Sequence, residues 1–318
     1  MNGDLRAGVV GVGHLGQHHA RLYATLDGVR LVGVVDADRE RAEEIAARHG
    51  ARVFDSVEAL AREVDVASVA SPTSVHLVTA RPLLEAGVAT LVEKPITDTV
   101  AAGKELVELA RARGVPLMVG HIERFHPAVA AIRAELKAPR FLEIHRLAPF
   151  VPRALDVDVV LDLMVHDLDL CRVFLGTLEV EHLEAAGASA LTDTIDLASV
   201  RIRFAGGAQA NLTASRISFE KVRRIRVFEP GSYLWADTGT GDAGLFRVHR
   251  DGGGRRIERR PLDVPREEPL AREIGAFLAA VRAGVRPPCP GEDGLAALEL
   301  ALRIRDRIRE DPLGIPAP

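Results

Sequence analysis

Residues 6–16 read RAGVVGVGHLG, a short apolar run that ends in Gly11, Gly13 and Gly16. No other stretch constrains the fold as much. The apolar run suits a strand buried in a parallel sheet. Glycines in GxGxxG spacing, after a strand and before a helix, suit a loop that wraps a dinucleotide. The first glycine allows the tight turn, the second lets the backbone approach a pyrophosphate, and the third lets helix and strand pack closely. Backbone N–H groups at the helix start then face the anion. The chain holds 28 glycines, so the triplet alone arises by chance and a plain structural turn competes with it. The context decides for a dinucleotide, and it puts His14 and Leu15, inside the loop, beside the cofactor.

The same strand–helix unit repeats. HLGQHHARLYATL reads as a helix, RLVGVVD (30–36) as a strand, and ADRERAEEIAARHG as a helix ended by Gly50. ARVF, SVEALARE and VDVASVAS continue the alternation, followed by TSVHLVTARPLLEAG and ATLVEKP. A helix with a Thr cap (TDTVAAGKELVELARARG) leads to the strand VPLMVGH. Alternation of this kind predicts α/β class: a Rossmann, doubly wound parallel sheet over residues 1–122. The rhythm then changes. FHPAVAAIRAEL is a helix, RFLEIHRLA a strand and 157–174 an apolar helix. From 178 to 260 strand-like runs follow one another, with glycine-rich turns near 238–244 and at DGGG (251–254). Helices are expected at 266–283 and 291–310. A second α/β domain with a largely antiparallel open sheet is therefore expected over 123–318.

Composition narrows the function. There are 41 basic and 45 acidic residues, a formal charge of −4, and aromatics are 4%. That balance favours neither nucleic acid nor an anionic membrane surface. The opening MNGDLRAGVVGVG lacks a basic head, an apolar stretch and a cleavage site, so it does not read as a secretory signal. Apolar runs stop well short of the roughly 18 residues that a membrane span needs. Cys171 and Cys289, the two cysteines, form neither a CxxC pair nor a zinc pattern. They read as inert thiols in a reducing, cytoplasmic setting. His14, His18 and His19 cluster, but no carboxylate or cysteine stands at ligand spacing, so they read as exposed helix residues and no metal is expected.

Asp36 closes the second strand, where a carboxylate can accept hydrogen bonds from ribose hydroxyls and repel a 2′-phosphate. The expected cofactor is NAD; Arg39 and Arg41 keep NADP open. A solvated turn or a helix cap is the competing reading of Asp36. In parallel sheets, ligands lie beyond the carboxyl ends of the strands. Those ends carry Ser71-Pro72-Thr73, Glu93-Lys94-Pro95 and Gly120-His121. Lys94, followed by a proline and preceded by apolar ATLV, can exchange protons or hold a substrate hydroxyl; a surface lysine paired with Glu93 is the alternative. Lys94-Pro95 is a candidate cis bond.

The stretch VVLDLMVHDLDL (159–170) places ionisable groups in an apolar helix. At about 100° per residue, Asp162, His166 and Asp169 fall within about 60° of one another. Asp167 points elsewhere, toward solvent or an interdomain contact. Leu161, Met164, Val165 and Leu168 share an apolar face. Taken alone, an i, i+4 Asp–His pair also reads as a structural ion pair.

GVGHLGQHHAR, ASPTSVH, VEKPIT and VGHIERFHP, in this order and spacing, resemble the Gfo/Idh/MocA family. The resemblance spans nearly the whole chain, and EKP after the fifth strand is its most specific local sign. It implies a nicotinamide-dependent oxidoreductase acting on a sugar, a sugar nucleotide or a cyclitol, with a second domain whose open sheet often makes the interface of a homo-oligomer, a dimer or tetramer. It maps the family's EKP lysine onto Lys94 and its Asp-x-x-x-His signature onto Asp162 and His166. VDVV stands where many members carry glycines before that Asp, which loosens any substrate assignment. The implied site places Gly11, Gly13, His14, Leu15, Gly16, Asp36, Ser71, Pro72, Thr73, His76, Glu93 and Lys94 at the cofactor. It places Lys94, His121, Arg124, Asp162, His166, Asp169 and Arg216 at the substrate. Lys94 and His166 divide the roles of oxyanion partner and acid/base, in either order, with Asp162 tuning the imidazole. The cofactor takes the electrons, so no metal is required.

Residues 213–237 gather Arg216, Lys221, Arg223, Arg224 and Arg226. They read as alternating solvated strand faces or, more sharply, as partners of a diphosphate. With HLGQHHARLY and VDVVLDLMVHDLDL, this segment is most similar to the members that oxidise C3 of UDP-linked N-acetylglucosamine and so supply a 3-keto sugar nucleotide for amination toward lipid A. An inositol or free-sugar dehydrogenase, and a non-catalytic dinucleotide sensor, are the alternatives.

Overall fold

The computed structural model describes residues 3–151, 157–251 and 254–310. It divides into two compact units. One comprises residues 1–121 and 270–298, the other 122–269 and 299–318, so the long last helix contributes to both. A single cut after 122 is thus corrected. Residues 270–298 join the first unit because their apolar side chains, Ile274, Phe277 and Leu278 among them, are buried there. The expected turn residues Gly252 and Gly253, and residues 311–318, lie outside the described residues.

In the first unit, β1 (Leu5–Val10), α1 (Gly16–Thr25), β2 (Val29–Val35), α2 (Arg39–His49), β3 (Arg52–Val53), α3 (Val57–Ala61), β4 (Val66–Val69), α4 (His76–Glu85), β5 (Ala89–Glu93), α5 (Val100–Arg113) and β6 (Leu117–Gly120) follow in turn. The sheet order is β3-β2-β1-β4-β5-β6 and every pairing is parallel. Strand order reverses between β1 and β4, the switch point at which such sheets bind ligands. Val9, Val69, Leu91, Val92 and Val119 are wholly buried, as strands covered on both faces require. Gly50 and Gly114 end α2 and α5 in the left-handed region, and Thr99 caps α5 as expected.

The second unit holds α6 (Pro127–Glu135), β7 (Phe141–Leu147), α7 (Val165–Leu175), β8 (Val180–Ala188), β9 (Leu197–Phe204), β10 (Gln209–Ser215), β11 (Val222–Glu229), β12 (Ser232–Asp237), β13 (Asp242–Asp251) and β14 (Gly254–Pro261). The sheet runs β14-β13-β12-β11-β7-β10-β9-β8; only β7 and β10 pair in parallel. Period-2 alternation buries Leu142 and Ile144 of β7, Ala198, Val200 and Ile202 of β9, and Ile225 and Val227 of β11. β14 (GRRIERRP) is too charged to announce itself as a strand; it forms by backbone pairing with β13 along the sheet edge. α8 (Pro269–Ala283) and α9 (Gly291–Glu310) close the chain. Among the described residues no helix is long and apolar enough to cross a membrane.

Candidate active site

The glycine loop lies between β1 and α1, at the carboxyl edge of the parallel sheet. Gly11 has φ +82°, and a Cβ there would stand 2.6 Å from the Ser71 nitrogen. A Cβ on Gly16 would overlap the Gly11 carbonyl oxygen, whereas one on Gly13 would meet nothing within 4 Å. The first and third glycines are therefore required by packing, and the second leaves open space where a pyrophosphate would lie. These residues fit a dinucleotide. His14 and Leu15 are exposed on the loop, and Gln17 donates to the His14 carbonyl.

Asp36, just beyond β2, accepts from the backbone N–H of Val12 at 2.7 Å and of Asp38 at 2.8 Å. Arg41 donates to both of its oxygens, at 2.7 and 3.4 Å. Burial opposes ionisation of Asp36, but the bonds from Arg41, Asp38 and Val12 hold its carboxyl below the usual range. The carboxylate is thus anchored to the glycine loop itself. Ribose hydroxyls would compete with Arg41, which is 43% exposed along its side chain and can withdraw. Arg39 is engaged with Glu43 and Asp55, away from this carboxylate.

Ser71, Pro72 and Thr73 follow β4 and lead through a 3₁₀ turn at Thr73–Val75 into α4. His76, 1% exposed, places Nε2 2.9 Å from the Ser71 carbonyl and Nδ1 3.1 Å from that of Pro95. Burial pushes its pKa down. Its ring braces two loops from within, which corrects its expected place at the cofactor surface. Lys94 is half-buried at the end of β5, and the Lys94-Pro95 bond is cis. Its backbone N–H donates to Glu93 Oε2 at 3.3 Å. Glu93 is 8% exposed. His121 is buried directly after β6.

The second unit carries the remaining candidates. Asp158 accepts from the N–H groups of Val160 and Leu161 at 3.0 Å and caps the helical run. Its first turn, Val160–Met164, is π-helical: the Val165 N–H reaches back to the Val160 carbonyl. This turn corrects the expected uniform spacing of 100° per residue, because a wider turn rotates Asp162 relative to His166. Such turns concentrate at functional positions. Asp162 is half-buried and His166 is 9% exposed, in the first turn of α7.

The neighbouring acids are committed internally. Asp169 forms a two-pronged pair with Arg124, and both side chains are nearly inaccessible. Asp167 is wholly buried, not turned to solvent, and accepts from Arg146 Nε and Nη2 at 2.9 and 2.7 Å. Arg146 also donates to Glu123 at 2.9 Å, and Arg223 reaches the same Glu123 oxygen at 3.2 Å. Burial pushes Asp167 up to about 6, with Arg146 resisting. Glu123, served by two guanidinium groups, is held down at about 2 against its burial. Glu123, Arg146 and Asp167 were missed as a group. A signal existed: strand alternation sets Arg146 on the face of buried Leu142 and Ile144, where a cation needs partners.

Arg216 is likewise spent. Its Nε donates to Asp196 at 2.8 Å, Nη1 to the Val157 carbonyl at 2.8 Å, and Nη2 to Thr192 and Thr194. Asp196 in turn collects the N–H groups of Ala190, Leu191 and Thr192. This corrects the expectation of Arg216 as a substrate ligand: it ties down a turn. Arg223, Arg224 and Arg226 pair with Glu123, Asp237 and Glu143, so the cations of β11 are largely neutralised by neighbours.

The histidine cluster also divides. His14 and His18 are exposed and meet edge to face at 6.2 Å between ring centroids. His19 is wholly buried, which corrects its reading as an exposed helix residue.

Residues 5–121 match the family model described as GFO_IDH_MocA, oxidoreductase family, NAD-binding Rossmann fold, and residues 128–229 match the GFO/IDH/MocA C-terminal domain. The chain is 42% identical over 308 residues to UDP-N-acetylglucosamine 3-dehydrogenase of Acidithiobacillus ferrooxidans, covering 95% of this chain and 96% of the relative. It is 31% identical to inositol 2-dehydrogenase of Rhizobium meliloti, covering 93% and 94%. A solved structure of the Acidithiobacillus ferrooxidans enzyme, GnnA, superposes with a TM-score of 0.90 at 40% identity, covering 96% of this chain and 98% of that one.

Proposed function

This chain belongs to the Gfo/Idh/MocA family of NAD-binding oxidoreductases, and on that premise we propose that it oxidises the C3 hydroxyl of UDP-N-acetylglucosamine to a ketone. The whole-length likeness to a UDP-N-acetylglucosamine 3-dehydrogenase carries the substrate, because it exceeds the likeness to an inositol dehydrogenase by 42% to 31% identity. Gly11, Gly13, Gly16 and Asp36 would hold NAD, with Ser71, Pro72, Thr73 and Glu93 contributing nearby, and the bound cofactor would supply the hydride acceptor for the sugar carbon. Lys94 holds the substrate hydroxyl and stabilises negative charge as it develops on oxygen. His166 accepts the hydroxyl proton, and Asp162 orients the imidazole. His121 lies on the substrate side, while Asp169 and Arg124 support α7.

Inositol or a free sugar is the second reading, favoured by the inositol 2-dehydrogenase relative. The retained Lys94, Asp162 and His166 weigh against a non-catalytic sensor. The second unit serves substrate binding and self-association as a dimer or tetramer. Support for self-association comes from a half-exposed aromatic row across its sheet, Phe141–Phe228–Tyr233–Phe246, with centroids 5.7, 4.8 and 5.5 Å apart. A cytoplasmic enzyme feeding amination toward lipid A accords with the proposed product.

The test is NAD reduction with UDP-N-acetylglucosamine, myo-inositol and free hexoses, with a carbonyl trap because alcohol oxidation by NAD is uphill. Turnover of the nucleotide sugar is expected. Turnover of the non-nucleotide sugars alone overturns the substrate.

A further inference from the structure

Behind Lys94, Glu93 ends a buried polar chain whose other members, His19, Ser68 and Tyr23, the proposed chemistry does not use. His19 of α1 places Nε2 3.0 Å from Glu93 Oε1 and Nδ1 2.9 Å from the Ser68 hydroxyl of β4. The Tyr23 hydroxyl lies 2.8 Å from the same Ser68 oxygen. His19, Ser68 and Tyr23 are all wholly buried. The donors can be ordered. Burial opposes ionisation of Glu93, but the His19 hydrogen bond and the charge of Lys94 hold its carboxyl below the usual range. An ionised carboxylate only accepts, so His19 donates through Nε2–H. Ser68 lies between His19 Nδ1 and the Tyr23 hydroxyl, so each polar group of the chain has a partner.

The other wall of the slot is Gly120, paired with Glu93 across β5 and β6. A Cβ on Gly120 would stand 3.0 Å from Glu93 Oε1 and 3.1 Å from Oε2. The carboxylate is therefore clamped between a bare backbone and a histidine, and its second oxygen receives the Lys94 N–H.

We propose that His19 is a positioning residue: it fixes the Glu93 carboxylate, and through it the backbone and charge environment of Lys94, tying the helix that follows the glycine loop to the lysine. The proposal rests on the reading of Lys94 as the substrate-binding lysine only for its functional meaning; the positioning itself is measurable apart from turnover. Other ionisable groups around Glu93 and this chain are Lys94, His76, Tyr23 and, from α8, Glu273.

The four lysines, Lys94, Lys104, Lys137 and Lys221, allow an internal comparison. The full-length protein is acetylated with limiting acetic anhydride at pH 8, and each lysine's rate is read by peptide mass spectrometry. His19→Leu removes the side-chain donor to Glu93, so the carboxylate is no longer fixed beside the Lys94 N–H and Lys94 is no longer held in place. Its labelling should rise by about threefold or more, with the other three lysines unchanged. His19→Gln, which can still donate to Glu93, should return the rate to within about twofold of wild type. If His19→Leu does not fold, Glu93→Gln fills the same slot without charge and should give the same selective rise. Unchanged Lys94 labelling in folded His19→Leu or Glu93→Gln, or an equal rise at all four lysines, overturns the proposal. Lys94→Ala is assayed for turnover alongside: full activity there would refute the role of Lys94 while leaving the labelling result to stand or fall separately.

Discussion

The two units keep buried charge in opposite ways. In the first, the Glu93 carboxylate is held by an imidazole and a backbone N–H, in a slot bounded by glycine. In the second, one guanidinium, Arg146, serves two carboxylates, and Arg223 adds a hydrogen bond to Glu123. The first arrangement leaves every partner satisfied. The second leaves Asp167 short, with its pKa pushed up to about 6 by burial. Separate donors to the two oxygens of one carboxylate set its orientation; a shared cation joins strand, turn and helix but leaves the weaker partner short.

The largest effects are expected at Lys94 and His166, the groups proposed for the chemistry. Lys94→Ala in the first unit and His166→Ala in the second should each lower kcat/KM by on the order of a thousandfold, as loss of an acid/base or oxyanion partner does. NADH binding, followed by nicotinamide fluorescence, should stay within about threefold for His166→Ala, because the glycine loop and Asp36 lie on the other unit. Near-normal turnover in either variant would mean that its unit supports a fold and no chemistry.

The two units also differ in how far they could be read in advance. GxGxxG, Asp36 and EKP are contiguous motifs on strand ends, where sequence order and spatial order agree, so the glycine geometry and the position of Lys94 were legible. His19 was misread because a helix of ten residues carries no signal of which polar side chain faces its sheet when the partners, Ser68 and Glu93, come from distant strands. The second unit was harder throughout. Its antiparallel sheet followed from runs of strands, but β14 was too charged to stand out. The partners of Asp167 lie 21 and 44 positions away, as Arg146 and through it Glu123. Angular placement set Asp167 apart from His166, yet it could not tell solvent from a buried arginine. The π-helical turn also lay beyond a reading at fixed pitch.

Removing the shared cation tests the second arrangement directly. Arg146→Met keeps the length of the side chain but leaves Glu123 with Arg223 alone and Asp167 without a cation. Unfolding should become easier by about 3–5 kcal/mol, the usual cost of stranding a buried ionic partner. Chemical denaturation followed by circular dichroism measures this. A loss under about 1 kcal/mol would show that the network is replaceable by apolar packing.

The smallest effect is the most discriminating, because it separates the two acids on Arg146. Asp167, raised to about 6 from an ordinary 3.8, binds its proton more tightly in the folded chain than in the unfolded one. Its contribution to stability is therefore greatest below about pH 4 and declines as pH rises toward 6. Glu123, lowered to about 2 from 4.5, behaves with the opposite sign: its contribution is present above about pH 4.5 and is lost as pH falls toward 2. Asp167→Asn fixes the first group in an uncharged form that can still accept from Arg146. Relative to wild type, the variant should gain about 1–3 kcal/mol between pH 4 and pH 7, the scale set by a carboxyl raised from 3.8 to about 6 beside a shared cation. Paired urea melts at the two pH values read this difference. A gap that stays constant from pH 4 to pH 7 would mean that Asp167 is already ionised at pH 4, and that Arg146 satisfies both carboxylates as fully as His19 satisfies Glu93.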